Sequence, residues 1–368
     1  LGLSGTDIDF CRGPKVIIPA PGRIGHNSPS LFWPKESGLR LSFQNSIRLS
    51  AVAFLFALPA AIQAKPHVAK VVVNTQVLVL HDDTRDRDIP IKIYDPRAAD
   101  FPGRLPVILF SPEAGSSKES YGYLGHYWAE HGYLCVFITH KGSDTTLSKK
   151  GRPLASLRAI VLSTQKDENL VDRPMDVSFI IDSLASVETK ISDLQGRMDP
   201  THIGVAGHSF GAYTALAVAG ATAHLSDGST RRFQDNRATC FETLSPPGTS
   251  TVGFDLESFR PILRPVLIIR GSQDHGLNGE PADWRAEVFK HLPPHHKFDI
   301  LLQGASHMDF SDRQLDGSRG GFRFHSYVEQ ATLAFWDAYL KGNQPVQQQL
   351  AAGTFPTCKG IKATIQVK

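Results

Sequence analysis

Short apolar runs, spaced by longer mixed segments, set the frame of this 368-residue chain. Pro106–Phe110, Tyr133–Thr139, Ile203–Ala206, Pro265–Ile269 and Phe298–Leu302 are nearly continuous in their apolarity rather than alternating, the pattern of strands covered on both faces. Ala238–Leu244 is a weaker run of the same kind. Val71–Leu80 and Ile89–Tyr94, joined by the charged stretch His81–Asp88, read as an antiparallel pair that opens the sheet. Helical patterning falls between these runs, at Tyr121–His131, Met175–Val187, Phe210–Ala223, Ala282–His291 and Phe324–Lys341. The alternation predicts an α/β fold: a mostly parallel central sheet, an antiparallel N-terminal strand pair and helices on both faces. No internal repeat or linker divides residues 65–342, which are read as one domain. The tail, 343–368, is Gln-rich and then weakly β-like, and is expected to lie on the surface.

The N-terminal stretch differs in kind. Residues 1–46 are rich in Gly, Pro and Ser without periodicity, and are read as disordered or as lying upstream of the true start. Residues 47–64 bring a basic residue, Arg48, then the apolar Leu49–Leu58, then Pro59–Ala64. That is the order of a signal peptide, with cleavage near Ala64 and a secreted or periplasmic product. The apolar run is too short to span a bilayer, so no membrane span is expected. Formal net charge is +3, and the excess sits in the first 64 residues; the remainder is balanced. Nothing in that balance asks for nucleic acid as a partner.

One strand leads straight into Gly207-His208-Ser209-Phe210-Gly211, and an Ala-rich helical stretch follows. A serine between glycines at a strand-to-helix turn is lifted out of the sheet, where an imidazole can reach its hydroxyl. A nucleophilic serine needs a base, and the base an orienting carboxylate, both at carboxyl ends of strands. Pro265–Ile269 runs into Asp274, and Phe298–Leu302 into His307; Asp255 is the reserve acid. The oxyanion of an acyl-transfer intermediate needs two N–H donors. Phe210 supplies one. The loop Ser111–Ser117 supplies the other; Pro112 has no N–H, which leaves Ala114, with Glu113 second. Metal-binding, Walker and dinucleotide motifs are missing from the sequence, and no cofactor is expected.

Several stretches together resemble the α/β-hydrolase superfamily, in particular secreted dienelactone-hydrolase-like serine esterases related to platelet-activating-factor acetylhydrolases. They are Arg87–Tyr94, Phe110-Ser111 with its Gly/Ser loop, His131–Tyr133, Arg173–Phe179, Gly207–Gly211, Leu244–Gly248 and Gly304–His307. The resemblance covers most of 70–342. Relatives often carry His-Gly-x-Gly where this chain has Pro112–Gly115. It implies a serine carboxylic-ester hydrolase acting on a small-molecule ester, and the short segments expected to cap the nucleophile point to short to medium acyl chains. A polyester hydrolase, thioesterase or amidase would use the same residues, and a silent binding protein could keep the fold.

Two finer expectations complete the reading. In a cap segment near 140–172, Pro153 can start a helix that lays Leu154, Leu157, Ile160 and Val161 along one stripe. The stripe either packs on the core or roofs the nucleophile, with Leu154, Leu157 and Val161 touching substrate. Export would permit a Cys240–Cys358 disulfide tying down the tail, with Cys135 an inert core thiol.

Overall fold

A computed structural model describes residues 71–149, 151–312 and 322–368. The expected leader and signal peptide, with its cut near Ala64, lie outside the described residues. The first half of the described chain runs β1 (Val73–Asp82), β2 (Arg87–Pro96), β3 (Leu105–Ser111), α1 (Gly122–Glu130), β4 (Leu134–Ile138), α2 (Pro153–Thr164), α3 (Asp167–Lys190) and β5 (Met198–His208). There follow α4 (Phe210–Ala219), β6 (Thr222–His224), β7 (Thr230–Arg232), β8 (Ala238–Leu244), β9 (Val266–Gly271), α5 (Ala286–His291), β10 (Lys297–Leu302), α6 (His325–Tyr339), α7 (Gln344–Ala351) and β11 (Ala363–Val367).

Nine strands form one mixed sheet, in the order β1-β2-β4-β3-β5-β8-β9-β10-β11. The strands from β4 to β10 in that order are parallel. The outer pairings β1–β2, β2–β4 and β10–β11 are antiparallel. Every residue of β4 is buried, as a continuous apolar run requires when helices cover both faces. β1 instead alternates, leaving Val77 and Val79 exposed at the sheet edge. On one face α3, α4 and α5 bury Val177, Ile180, Leu216 and Val288. On the other, α1, α6 and α7 bury Leu124, Trp128, Trp336 and Leu350. The chain leaves β3 through α1 and returns through α3 to the opposite side of β3. Strand order therefore reverses between β3 and β5, and a crevice opens at their carboxyl ends. Among the described residues no helix is long and apolar enough to cross a membrane.

Three elements depart from the sequence pattern. α3 begins at Asp167 and carries Pro174 inside it. Proline has no N–H for the carbonyl four residues back; the Tyr213 hydroxyl of α4 donates to that Leu170 carbonyl instead, at 3.0 Å. α4 stops at Ala219, with Gly220 left-handed at φ 113°, and the chain turns into the β6–β7 hairpin. The tail is structural: α7 packs beside α6, and β11 completes the sheet against β10.

The same tail overturns the expected disulfide. Cys135, Cys240 and Cys358 are free thiols. Cys240 is the register partner of Gly204, over which Trp336 of the far half of α6 and Leu340 just past its end pack. Cys358 instead lies against Gln330, whose Nε2 is 3.3 Å from its sulfur. Six residues of helix separate Gln330 from Trp336, about 9 Å of rise, more than a disulfide can bridge.

One interior residue breaks the apolar rule. Glu242 of β8 is fully buried between Ala206 of β5 and Leu267 of β9. Neither carboxyl oxygen has a partner among the described residues. Burial pushes its pKa well above the usual carboxyl range, which favours the protonated form.

Candidate active site

The strand-to-helix turn at Ser209 holds the serine at φ 55°, ψ −116°, a strained conformation for a residue with a Cβ. The chain reaches it because the residues two before and two after it are glycines. A Cβ on Gly207 would lie 2.2 Å from the Gly211 carbonyl oxygen, and one on Gly211 would lie 1.8 Å from the Ser111 carbonyl oxygen. The backbone of β3's exit thus presses directly on the start of α4. The Ser209 N–H is tied to the Leu244 carbonyl at 2.9 Å.

Ser209 Oγ lies 3.0 Å from His307 Nε2, and His307 Nδ1 lies 2.9 Å from Asp274 Oδ1. The loops after β9 and β10 bring these residues to the carboxyl edge where β5 ends. Asp274 is fully buried; its second oxygen accepts from the Ser245 hydroxyl, and Arg285 Nε pairs with Oδ1 at 2.8 Å. Burial by itself would raise this carboxyl, but His307, Arg285 and Ser245 together hold it below the usual carboxylate range. Burial lowers the His307 pKa to about 4, with Asp274 opposing and Arg285 and His208 adding to the fall. Asp255, the reserve acid, is elsewhere: it bonds Ser258 and pairs with His224 at 3.1 Å.

Sequence patterns hold no sign of Arg285, and its geometry is specific. Its Nη1 donates to the Ser245 and Pro246 carbonyls, while Nη2 lies 3.1 Å from His307 Nδ1. With the Nδ1 proton directed at Asp274, that nitrogen cannot also accept. Arg285 is therefore a close fixed cation that opposes a second charge on the imidazole. Nor does any pattern single out His208. Its ring lies 4.5 Å from the His307 ring, and its Nδ1 meets the Tyr121 hydroxyl at 2.5 Å. Tyr121 in turn donates to Glu113.

Phe210 opens α4, so its N–H is one of the donors that a helix leaves without an internal partner. Ala114 is buried in the loop after β3. The neighbouring N–H groups of Gly115 and Ser116 are spent on the Ser143 and Glu113 carbonyls. The cleft over Ser209 is lined by Val161, Phe210, Pro247, Val252, Trp284 and Glu280 among others.

The cap expectation is corrected in part. Val161 lines the cleft, but Leu154 is 82% and Leu157 37% exposed. The inner end of the stripe does pack down, with Ile160 half-buried against the core, and Ser163, which the stripe left out, is buried. Ser163 can go inside because its hydroxyl donates to the Ile160 carbonyl, 2.7 Å away on its own helix. A stripe drawn through apolar residues alone overlooks a serine satisfied in this way. Among the described residues no cluster of His, Cys, Asp and Glu is disposed to hold a metal ion. No protein-family model matches this chain, and none of the curated proteins matches it.

Proposed function

We propose that the protein is a serine carboxylic-ester hydrolase of the α/β-hydrolase type, acting on esters of short to medium acyl length. The observation that carries this reading is the unbroken hydrogen-bonded series Ser209–His307–Asp274, with the serine on a strained turn at the floor of a cleft. Ser209 Oγ attacks the ester carbonyl carbon while His307 Nε2 takes its proton. The carbonyl oxygen becomes an oxyanion facing the N–H groups of Phe210 and Ala114. Collapse expels the alcohol, which leaves with the proton from His307. Water then enters by the same route and releases the acid. Asp274 keeps the imidazole in the tautomer that presents a bare Nε2 to the serine.

A cleft walled by Val161, Trp284 and Pro247 offers apolar contact over a short distance. Each methylene it accommodates is worth about 0.8 kcal/mol until the wall is met. A p-nitrophenyl ester series on purified protein tests the reading, together with a fluorophosphonate probe. The expected result is kcat/KM peaking at short to medium acyl chains and labelling of Ser209 alone. Ser209→Ala should lose both. An active Ser209→Ala protein, or labelling at another residue, refutes the mechanism. The signal-peptide pattern of residues 47–64 supports export as the setting for this activity.

A further inference from the structure

Several stretches that carry the family resemblance have no part in the chemistry above. Arg87, Ser111 and the Arg173–Phe179 stretch lie on β2, β3 and α3, yet their polar groups meet in one buried cluster behind the oxyanion loop. Asp176 is wholly buried and takes two of the Arg87 nitrogens, Nε and Nη2, at 2.8 and 3.0 Å, with Arg85 at 2.9 Å. His140 Nδ1 donates to the same carboxylate at 2.9 Å. His140 Nε2, 3.0 Å from Ser111 Oγ, accepts the serine's proton in turn. Ser111–His140–Asp176 thus repeats the hydrogen-bond order of Ser209–His307–Asp274. It is not a second nucleophile: all three side chains are buried, and Arg173 already occupies Ser111 Oγ.

Arg173 is the unusual member. Its side chain is among the largest fully buried ones. Asp176, one turn along the same helix, is committed to Arg85, Arg87 and His140. The hydrogen-bond acceptors of Arg173 are all neutral: Thr214 Oγ1 at 3.0 Å, Ser143 Oγ at 2.7 Å, Ser111 Oγ at 3.0 Å and the Pro112 carbonyl. Its guanidinium also lies 4.6 Å from the centre of the Phe210 ring. One side chain therefore touches both segments that would supply the oxyanion donors, the Pro112 end of the loop and Phe210. Thr214 links it further to the Phe210 carbonyl, at 3.1 Å. A buried arginine loses pKa, here to about 9, and stays charged at neutral pH.

We propose that Arg173 is a positioning residue for the oxyanion hole, fixing the Pro112 carbonyl and the Phe210 ring so that the N–H groups of Ala114 and Phe210 converge on one point. The inference rests on the serine-hydrolase reading and deepens it. It also explains why Asp176 sits beside Arg173 without pairing with it. Through His140, Asp176 sets the Ser111 hydroxyl, and Arg173 donates to that hydroxyl and to the Pro112 carbonyl together.

Donors that act only on the tetrahedral species affect kcat and not ground-state binding. The test compares Arg173→Lys, Arg173→Gln and Ser111→Ala with wild type. The readouts are kcat and KM for p-nitrophenyl butyrate, and affinity for a trifluoromethyl ketone, which forms a tetrahedral adduct on the serine. Both Arg173 variants should lose about 10- to 100-fold in kcat and the same factor in ketone affinity, with KM within about threefold. Ser111→Ala should lose about 3- to 10-fold in the same two quantities. Folded Arg173 variants whose kcat and ketone affinity stay within about threefold of wild type would reduce Arg173 to a stabilising role and overturn the proposal. If neither Arg173 variant folds, Ser111→Ala decides, and an unchanged kcat in that folded protein is equally fatal. A wild type that fluorophosphonate does not label at Ser209 sinks the hydrolase reading itself. A labelled wild type with unaffected variants sinks only the role of Arg173.

Discussion

Replacing Glu242 by glutamine should stabilise the protein, by an amount that grows with pH. The carboxyl is buried in mid-sheet with both oxygens unpartnered among the described residues, and folding raises its pKa. Above its ordinary value, about 4.3, the unfolded chain has released the proton that the folded chain still holds. Stability then falls by about 1.4 kcal/mol for each pH unit up to the folded pKa. Two pH units of that slope are already a large share of the 5–15 kcal/mol that holds an ordinary domain together. Glutamine has nearly the same shape and no proton to hold, so the variant escapes this slope. Urea unfolding at about pH 5 and about pH 7 measures it, and the gain of Glu242→Gln over wild type should be larger at the higher pH. The difference between the two pH values cancels any fixed change in packing. A gain that is equal at both, or a variant less stable at the higher pH, would show that Glu242 is ionised in the fold and that a cation reaches it.

Gly211→Ala should fold but lose about 100-fold in kcat, because its Cβ would stand 1.8 Å from the Ser111 carbonyl oxygen and must push the oxyanion loop aside; a variant with wild-type kcat refutes the close approach. The acid limb of kcat/KM should follow His307, which must be neutral to accept the proton, so activity is lost as pH falls through its low pKa. Arg285→Gln removes a cation 3.1 Å from the imidazole and should move that limb upward by about one pH unit; a pH–rate profile with an unmoved limb argues against the arginine's electrostatic role. With a thiol reagent, Cys358 should react in the native protein, and Cys135 and Cys240 only after unfolding. A disulfide-linked peptide carrying Cys240 and Cys358 would contradict the packing of α6.

Chemistry that depends on order along the chain is readable from the sequence. Ser209, Asp274 and His307 each follow an apolar run, and strand ends converge on one edge whatever the intervening loops do. Properties that depend on direction around an element are not. The stripe on α2 is right at Ile160 and Val161, but its leucines are exposed and the helix buries Ser163, whose hydroxyl is satisfied within its own turn. Pro174 reads as a helix boundary and is instead an interior residue, since Tyr213 supplies the missing donor from another helix. The Cys240–Cys358 pairing fails for a related reason: the tail's return path is set by α7 and β11, whose packing no local pattern announces. Arg285 and Glu242 do not stand out because a charged letter carries no mark of burial. The surroundings that bury them come from segments distant in the chain.

Pro174 and Tyr213 are consequently not free to vary independently. While the proline is present, the Leu170 carbonyl depends on the Tyr213 hydroxyl, and a change to phenylalanine leaves a buried acceptor unpaired, a loss of about 1–3 kcal/mol. Once the proline is replaced by a residue with an N–H, the helix can serve that carbonyl itself, and the same phenylalanine becomes nearly neutral. The two changes therefore differ in cost by order: phenylalanine at position 213 is cheaper once the proline has gone. The fold thereby writes a history dependence into two sites whose residues, taken one at a time, look like ordinary interior choices.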